Sequence, residues 1–378
     1  MRTLLVTGPG GSGRTTVAAA TALSAAREGH RTLLISADPL DALGADHANL
    51  TLRALTPGDA FRDDLLALQN RAGSALDLLG AGRLDGEELT PLPGSDELAL
   101  LRALRDAGQS TYDTVVVDLP PAPRALAVLA LPEQLRRYLR RLLPPERQAA
   151  RALRPMLGRL AGVPMPASWL YETAARWDTE LAAAQAVIEH PGTTVRLVAE
   201  PGPAGSDAVR AAATGLALQG LRTDALHANR VFPDDTADLW LSGLVAQQRK
   251  TLAEWAQTYG DILGTLPHLG RDPRGADDLA ALGAPAPVAA PAPVPWRVVD
   301  ALADEGVLVW HIPLPGAVRE ELGLIRRGDE LVVTSGTRRR IVPLPSALRR
   351  CTVAGAGLRD GELRVRFAPD PDLWPRTR

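Results

Sequence analysis

The stretch TGPGGSGRTT, residues 7–16, decides how the rest of the sequence is interpreted. An apolar run, TLLVT at 3–7, leads into it, and a helix-forming run, RTTVAAATALSAAREG at 14–29, follows. Its glycines let the backbone wrap around an anion, and the start of a helix directs free N–H groups to the same point. The spacing is that of G-x-x-x-x-G-K-T with Arg14 in the lysine position. The stretch predicts a phosphate-binding loop between strand and helix; a purely structural glycine-rich turn is the alternative.

Further buried strands are predicted downstream of this loop, with helical stretches between them. They are HRTLLISADP (30–39), YDTVVVDLPP (112–121), TVRLVAE (194–200) and LHANRVF (226–232). Strands that are apolar at successive residues and alternate with helices are typical of a parallel sheet covered on both faces. The predicted fold class is therefore α/β, with a parallel sheet of the P-loop NTPase type over residues 1–283.

Residues 133–190 give no strand signal and are predicted to be a helical insertion. Apolar residues recur there at three-to-four spacing, as in WLYETAARWDTELAAAQAVIEH at 169–190. Such stripes line either a groove for a protein client or ordinary core, and the pattern leaves both interpretations open. Residues 60–110 are also predicted to be mostly helical.

The composition changes near residue 284. APAPVAAPAPVP at 284–295 is a Pro/Ala linker, which in extended form spans about 35 Å at roughly 3.1 Å per residue. Beyond it short alternating strands predict an all-β sandwich over 296–369, followed by a tail at 370–378. GELRVRF at 361–367 shows the alternation clearly, and RRR at 338–340 is expected to be a solvated strand face.

Two carboxylates are predicted to face the loop. Asp38 ends the second strand and Asp118 ends the third, and parallel strands present their carboxyl ends to one crevice. Thr15 and Asp118 are expected to hold Mg²⁺, and Asp38 to orient an attacking water. A helix N-cap for Asp38 and a strand-end turn for Asp118 are the alternatives. The loop residues expected to bind the phosphates of ATP are Gly8, Gly10, Gly11, Ser12, Gly13, Arg14, Thr15 and Thr16.

Composition limits the remaining function classes. A net charge of −2 gives no indication of a nucleic-acid or membrane-surface partner. The single cysteine, Cys351, excludes an intramolecular disulfide and a CxxC zinc site. Neither a leader nor a spanning segment is recognisable, so a cytoplasmic protein without an integral membrane segment is expected. Lys250 is the only lysine, which indicates a general bias from Lys to Arg that also bears on Arg14.

Several segments, in order, resemble the ArsA-like ATPases, the arsenical pump-driving and tail-anchored-protein-targeting family. TGPGGSGRTT and RTLLISADP are similar to T-G-K-G-G-V-G-K-T-T and R-T-L-L-x-S-T-D-P, and DLPPAPRALAVL is similar to D-x-A-P-T-G-H-T-L-R-L-L. HANRVFP resembles V-N-R-V-x-P, which implies that Asn229 reads adenine. The tail resembles the small heat-shock, α-crystallin-like domain of some bacterial members. The resemblance implies ATP and Mg²⁺ as ligands, a dimer and a protein client.

The sequence departs from this family where phosphates would bind. Pro9 replaces the signature lysine that reaches a partner's phosphates, and Arg14 replaces the loop lysine. His-Ser becomes Asp41-Ala42, and Pro123 stiffens the second switch. Loss of a cation that stabilises the transferred phosphoryl group costs about 10³–10⁵ in rate. We therefore expect ATP binding that serves partner or client handling, with weak or no hydrolysis.

Alternative functions remain open at this point. The chain could be an active ATPase in which Arg14 takes the place of lysine. It could also be an interaction module that binds no nucleotide, or the regulatory subunit of a heterodimer with a paralogue whose loop is intact.

Overall fold

The computed structural model describes residues 1–38, 47–71, 82, 84–143, 168–235, 238–290 and 295–374. Asp41 and Ala42, the middle of the predicted insertion at 144–167, linker residues 291–294 and tail residues 375–378 lie outside these ranges.

A seven-stranded parallel sheet forms the centre of the larger unit, in the order β3-β2-β4-β1-β5-β6-β7. This confirms the predicted fold class. The strands β3 and β7 were not predicted; they lie at the two edges, and β3 is largely exposed, so its sequence lacks a continuous apolar run. The strands are β1 Arg2–Thr7, β2 Thr32–Ser36, β3 Leu50–Ala54, β4 Thr114–Asp118, β5 Thr193–Ala199, β6 Thr223–Val231 and β7 Leu263–Pro267.

Helices cover both faces of this sheet. Successive strand residues alternate between two cores: Leu5 and Val117 belong to one, and Val6 and Val116 to the other. The need to fill both cores explains why the central strands are apolar at every position. The helices are α1 Arg14–Arg27, α2 Pro57–Arg71, α3 Ser95–Gly108, α4 Ala122–Leu142, α5 Ser168–Ile188, α6 Pro203–Leu218, α7 Leu239–Tyr259 and α8 Gly275–Ala281.

The described part of the predicted insertion is helical. It comprises the second half of α4, which contains Pro132, and the whole of α5. Leu181, Val187 and Ile188 of α5 are buried in the core that α3 and α4 also line. This part of the apolar stripe is therefore ordinary core.

The C-terminal region is all β, as predicted, with a three-stranded sheet β10-β11-β12 and a four-stranded sheet β13-β14-β9-β8. Both sheets are antiparallel, and they enclose one core that includes Trp310, Val333 and Phe367. We call residues 298–369 the β-domain. Its strands are β8 Val298–Ala301, β9 Val307–Pro313, β10 Leu322–Arg327, β11 Glu330–Ser335, β12 Arg338–Pro343, β13 Cys351–Arg359 and β14 Glu362–Pro369.

The first residues of the Pro/Ala linker pack against the larger unit, a contact that the prediction of an extended linker did not include. Ala284 and Ala286 are only 4% and 8% exposed. The carbonyl oxygen of Pro285 accepts a 2.7 Å hydrogen bond from Arg196, and that of Val288 accepts one of 2.9 Å from Arg2. Sheet arginines therefore fix the first residues of the linker against the larger unit.

The prediction for RRR at 338–340 is wrong for two of its three residues. Arg338 donates to the carbonyl oxygen of Ala211, and Arg340 donates to that of Leu218 and to Glu133, so both bind the larger unit. Only Arg339 is exposed. Within the described residues, no helix is both long and apolar enough to cross a membrane.

Candidate nucleotide site

The loop after β1 has the backbone shape that its glycines predicted. A Cβ atom on Gly8 would lie 1.9 Å from the carbonyl oxygen of Val198, so only glycine fits there. Gly11 and Gly13 have φ angles of 79° and 82°, in the left-handed region that other residues avoid. The N–H of Val17 donates to Gly13 at 2.9 Å, and the earlier N–H groups are those that a helix start leaves without intrahelical acceptors. The loop is therefore suited to bind an anion.

Three predicted residues meet beside this loop. The Thr15 hydroxyl lies 2.8 Å from one oxygen of Asp38 and 2.8 Å from one oxygen of Asp118. Ser36, which the sequence analysis did not select, donates to the same Asp118 oxygen at 2.8 Å and accepts a bond from the Asp38 N–H. Asp38 is thus held by a neighbouring side chain at the end of β2. The sheet brings together a hydroxyl and two carboxylates, which are oxygen ligands of the kind that Mg²⁺ binds.

Asp118 is the buried carboxylate of this group, whereas Asp38 is exposed. The second oxygen of Asp118, Oδ1, is buried and has no hydrogen-bond partner among the described residues. Burial raises the pKa of the Asp118 carboxyl, although hydrogen bonds from Thr15 and Ser36 and the charge of Arg14 act in the opposite direction. A cation bound here would pair with the free oxygen and remove the desolvation cost. The donor set therefore fits a magnesium ion.

The side chain of Arg14 bonds to the turn that follows β4. Its guanidinium donates to the carbonyl oxygen of Leu119, in the turn between β4 and α4, and its Nε is buried with no partner in the part of the chain that the structure describes. A cavity of about 370 Å³ lies beside it, bordered by Asp38, Asp118 and the start of α3. Arg14, which occupies the position of the motif lysine, thus contacts the second-switch turn.

The same turn is fixed to the loop by other hydrogen bonds. The N–H of Ala122 donates to Gly8 at 2.9 Å, and the Thr7 hydroxyl donates to Pro120 at 2.8 Å. Arg124, in the first turn of α4, pairs with Asp96 and Glu97 of α3. The turn after β4 is therefore linked to both the loop and α3.

Asn229 lies under the loop. Its side-chain amide is 4% exposed and donates to the carbonyl oxygen of Ser12 at 2.8 Å. A Cβ atom on Gly13 would lie 2.4 Å from that amide, so the asparagine and the glycine are matched in shape. Asn229 also borders, with Thr16, a small cavity on this side of the loop. The hydroxyl of Ser12 donates to Pro9 at 2.9 Å, while Gly10 is exposed with no atom near its Cβ direction.

Arg230 is a second residue that the sequence analysis did not select. It follows Asn229 and reaches the loop at the carbonyl oxygen of Gly11, 3.2 Å from its Nη1. Its available signals were its position next to Asn229 and its match to the arginine of the quoted V-N-R-V-x-P segment.

Comparison with known proteins gives two family matches. Residues 1–285 match the family model of the anion-transporting ATPases, and residues 305–367 match the HSP20-like domain found in ArsA. An uncharacterised protein of Streptomyces coelicolor is 68% identical, with 100% of each chain covered. A Mycobacterium tuberculosis protein is 32% identical over 99% of this chain and 97% of its own. A protein of Aquifex aeolicus, provisionally named an arsenical pump-driving ATPase, is 22% identical over 97% of this chain and 99% of its own.

The first match covers most of the chain, and the second falls on the β-domain. ArsA-family proteins are nucleotide-binding ATPases that in general use Mg²⁺. The chain therefore belongs to the ArsA family of anion-transporting ATPases and carries the HSP20-like domain found in that family.

Proposed function

We propose that this protein binds a magnesium nucleotide at the loop after β1 and hydrolyses it slowly or not at all, using the bound state to control a protein partner. The observation that carries the proposal is the cluster of Thr15, Asp38 and Asp118 beside an anion-suited loop whose arginine is bound elsewhere. The cluster of a hydroxyl and two carboxylates beside the loop supports binding of a magnesium nucleotide. The bound arginine supports slow turnover, because its guanidinium is hydrogen-bonded to Leu119 and must leave that bond before it can pair with a phosphate.

Each site residue has a proposed role. Gly8, Gly10, Gly11, Ser12 and Gly13 would surround the phosphates with backbone, and Thr15 and Asp118 would hold Mg²⁺. Asp38, exposed to solvent and bonded to Thr15, would orient water. Asn229 would position the loop through its hydrogen bond to Ser12. With Thr16 it would border the small cavity in which the adenine base lies.

Binding and turnover are tested on purified protein. Mg-ATP at 100 times its dissociation constant should stabilise the fold by about 2.7 kcal/mol, seen as a higher melting temperature. Thr15→Ala should abolish most of that shift because the metal loses a ligand. Thr258→Ala is the matched control, since that hydroxyl bonds to Glu254 on an exposed helix face. Absence of a shift in wild-type protein at millimolar Mg-ATP would leave the interaction-module alternative.

Multiple-turnover phosphate release separates the proposal from an active ATPase that uses Arg14. We expect turnover of the wild-type protein to be at or near background. Arg14→Lys should raise it, because a compact ammonium can point into the loop where a planar guanidinium bonds to Leu119. Rapid release by wild-type protein would contradict slow turnover while leaving nucleotide binding intact.

A second candidate rests on Pro9, which borders a cavity of about 710 Å³ on the outer side of the loop and offers neither charge nor N–H. In a heterodimer with a paralogue of intact loop, the partner would provide the cation that a homodimer of this chain lacks. If mixing the two proteins leaves phosphate release at the sum of the separate rates, and only homodimers elute on size exclusion, this candidate fails.

A further inference from the structure

Arg230 has an unusual backbone conformation. Three described residues other than glycine have positive φ: Asn49, Arg230 and Asp360. Asparagine and aspartate tolerate the left-handed region because their short side chains bond locally, but arginine gains nothing from it. At φ 57° Arg230 is therefore strained, and strained residues of this kind concentrate at functional sites.

The guanidinium of Arg230 lies on the rim of the phosphate loop. Its Nη1 is 3.2 Å from the carbonyl oxygen of Gly11 and 2.6 Å from Glu200 Oε1. It borders two cavities at once, one lined by Pro9 to Ser12 and one lined by Gly13, Thr16 and Asn229. Arg230 thus separates the outer side of the loop from the side that Asn229 faces.

The other arginines that border the described cavities around the loop bond to groups outside the loop. Arg14 is bound to Leu119, Arg124 is shared by Asp96 and Glu97, and Arg271 is paired with Asp278. Arg230 is held by one ion pair whose side chains are 43% and 51% exposed, and such pairs contribute little. Its other hydrogen bond, within the described residues, is to the loop itself. Of these four arginines, Arg230 is the one whose guanidinium contacts a backbone carbonyl of the loop.

We infer that Arg230 is the cation that binds the outer phosphates of a nucleoside polyphosphate at this site, and that it remains paired with Glu200 until the nucleotide binds. The inference rests on the proposed function, since it requires a nucleotide in the loop. Arginine suits the task because its planar fork can donate two bonds to one phosphate group. Glu200 competes with the nucleotide for the same guanidinium, so it lowers the affinity for ATP.

The test compares the dissociation constants of Mg-ATP and AMP by calorimetry in four variants of the full chain. Arg230→Gln should weaken ATP binding by about tenfold or more, the loss of a charge-assisted bond, and AMP binding by less than about threefold. Arg230→Lys should recover part of the ATP affinity. Glu200→Gln should tighten ATP binding about two- to threefold because the competing carboxylate is removed. Arg249→Gln is the matched control: that side chain is 57% exposed and pairs with Asp234 at 2.7 Å, and neither affinity should change.

Opposite effects of Arg230→Gln and Glu200→Gln distinguish competition from a merely structural ion pair, whose loss from either side would act in one direction. The inference is overturned if wild-type protein binds ATP but Arg230→Gln has no more effect than Arg249→Gln, or weakens ATP and AMP equally. It is also overturned if Arg230→Gln and Glu200→Gln change the affinity for ATP in the same direction. Failure of wild-type protein to bind ATP would instead overturn the proposed function, and this inference with it.

Discussion

Asp118 lies 7% exposed at the end of β4, and burial raises the pKa of its carboxyl. A carboxyl whose pKa is higher in the folded than in the unfolded chain stabilises the fold when protonated, and this contribution disappears as pH rises through the folded pKa. At neutral pH the ionised form therefore costs stability. Asp118→Asn should raise the melting temperature of the nucleotide-free protein at pH 8 by about 2 °C, or about 1 kcal/mol, and abolish the shift with Mg-ATP. The difference from wild type should shrink as pH falls towards 4.

Asp113 provides the control of opposite sign. Hydrogen bonds from Arg31 hold its pKa at about 2, so its contribution is present above the ordinary value of 3.8 and is lost as pH falls towards 2. Asp113→Asn should therefore not stabilise the protein at pH 8. A lower melting temperature for Asp118→Asn at pH 8 would show that its hydrogen bonds, rather than its charge, dominate.

At the scale of elements, the turn from β4 to α4 is held by the strand beside it. The Thr7 hydroxyl, 1% exposed, donates to Pro120 at 2.8 Å, and Leu119 and Ala122 donate backbone bonds to Val6 and Gly8. Thr7→Val keeps the side-chain shape and leaves a carbonyl oxygen unpaired. It should lower the free energy of unfolding by about 1–2 kcal/mol and speed amide exchange at Leu119 and Ala122. Thr258→Val, on an exposed helix face, should change stability by less than about 0.5 kcal/mol. Unchanged exchange in this turn would show that Arg14 and the prolines hold it without Thr7.

At the scale of the whole molecule, the β-domain is bound to the two helices α4 and α6. Arg340 donates to Leu218 at 3.0 Å and to Glu133 at 3.2 Å, and it lies over the ring of Trp296; Arg137 pairs with Glu330. Leu218 itself belongs to the core of the β-domain. Arg340→Ala should lower the free energy of unfolding by about 2–3 kcal/mol, because a carbonyl and a partly buried carboxylate lose their partner. Arg339→Ala removes the exposed neighbour and should have almost no effect; equal losses in denaturant titrations would refute the interface.

The arrangement also bears on how the domains communicate. Helix α4 begins beside Gly8 of the loop and carries Glu133 and Arg137, which bind the β-domain. One helix therefore joins the turn after Asp118 to the C-terminal region. We propose domain boundaries of 1–283, 284–295 and 296–369, with the first linker residues fixed on the larger unit.

The sequence by itself determined the features that depend on local patterns. Apolar runs at successive residues required strands buried on both faces, and the glycine spacing at 8–13 required a tight loop before a helix. Thr15, Asp38 and Asp118 were foreseeable because the carboxyl ends of parallel strands share one edge of the sheet. The alternating strands after residue 296 indicated the β-domain, and the quoted motifs indicated the family.

Only the tertiary structure decided which partners the polar side chains take. Arg14 and Arg230 are both arginines near one loop, yet one binds Leu119 and the other Glu200. Arg338 and Arg340 bind the larger unit, while Arg339 between them is exposed. A strand alternates its faces whatever lies opposite, so local sequence cannot tell solvent from another domain. These contacts join residues that are distant along the chain, and the fold must bring them together before any of them can exist.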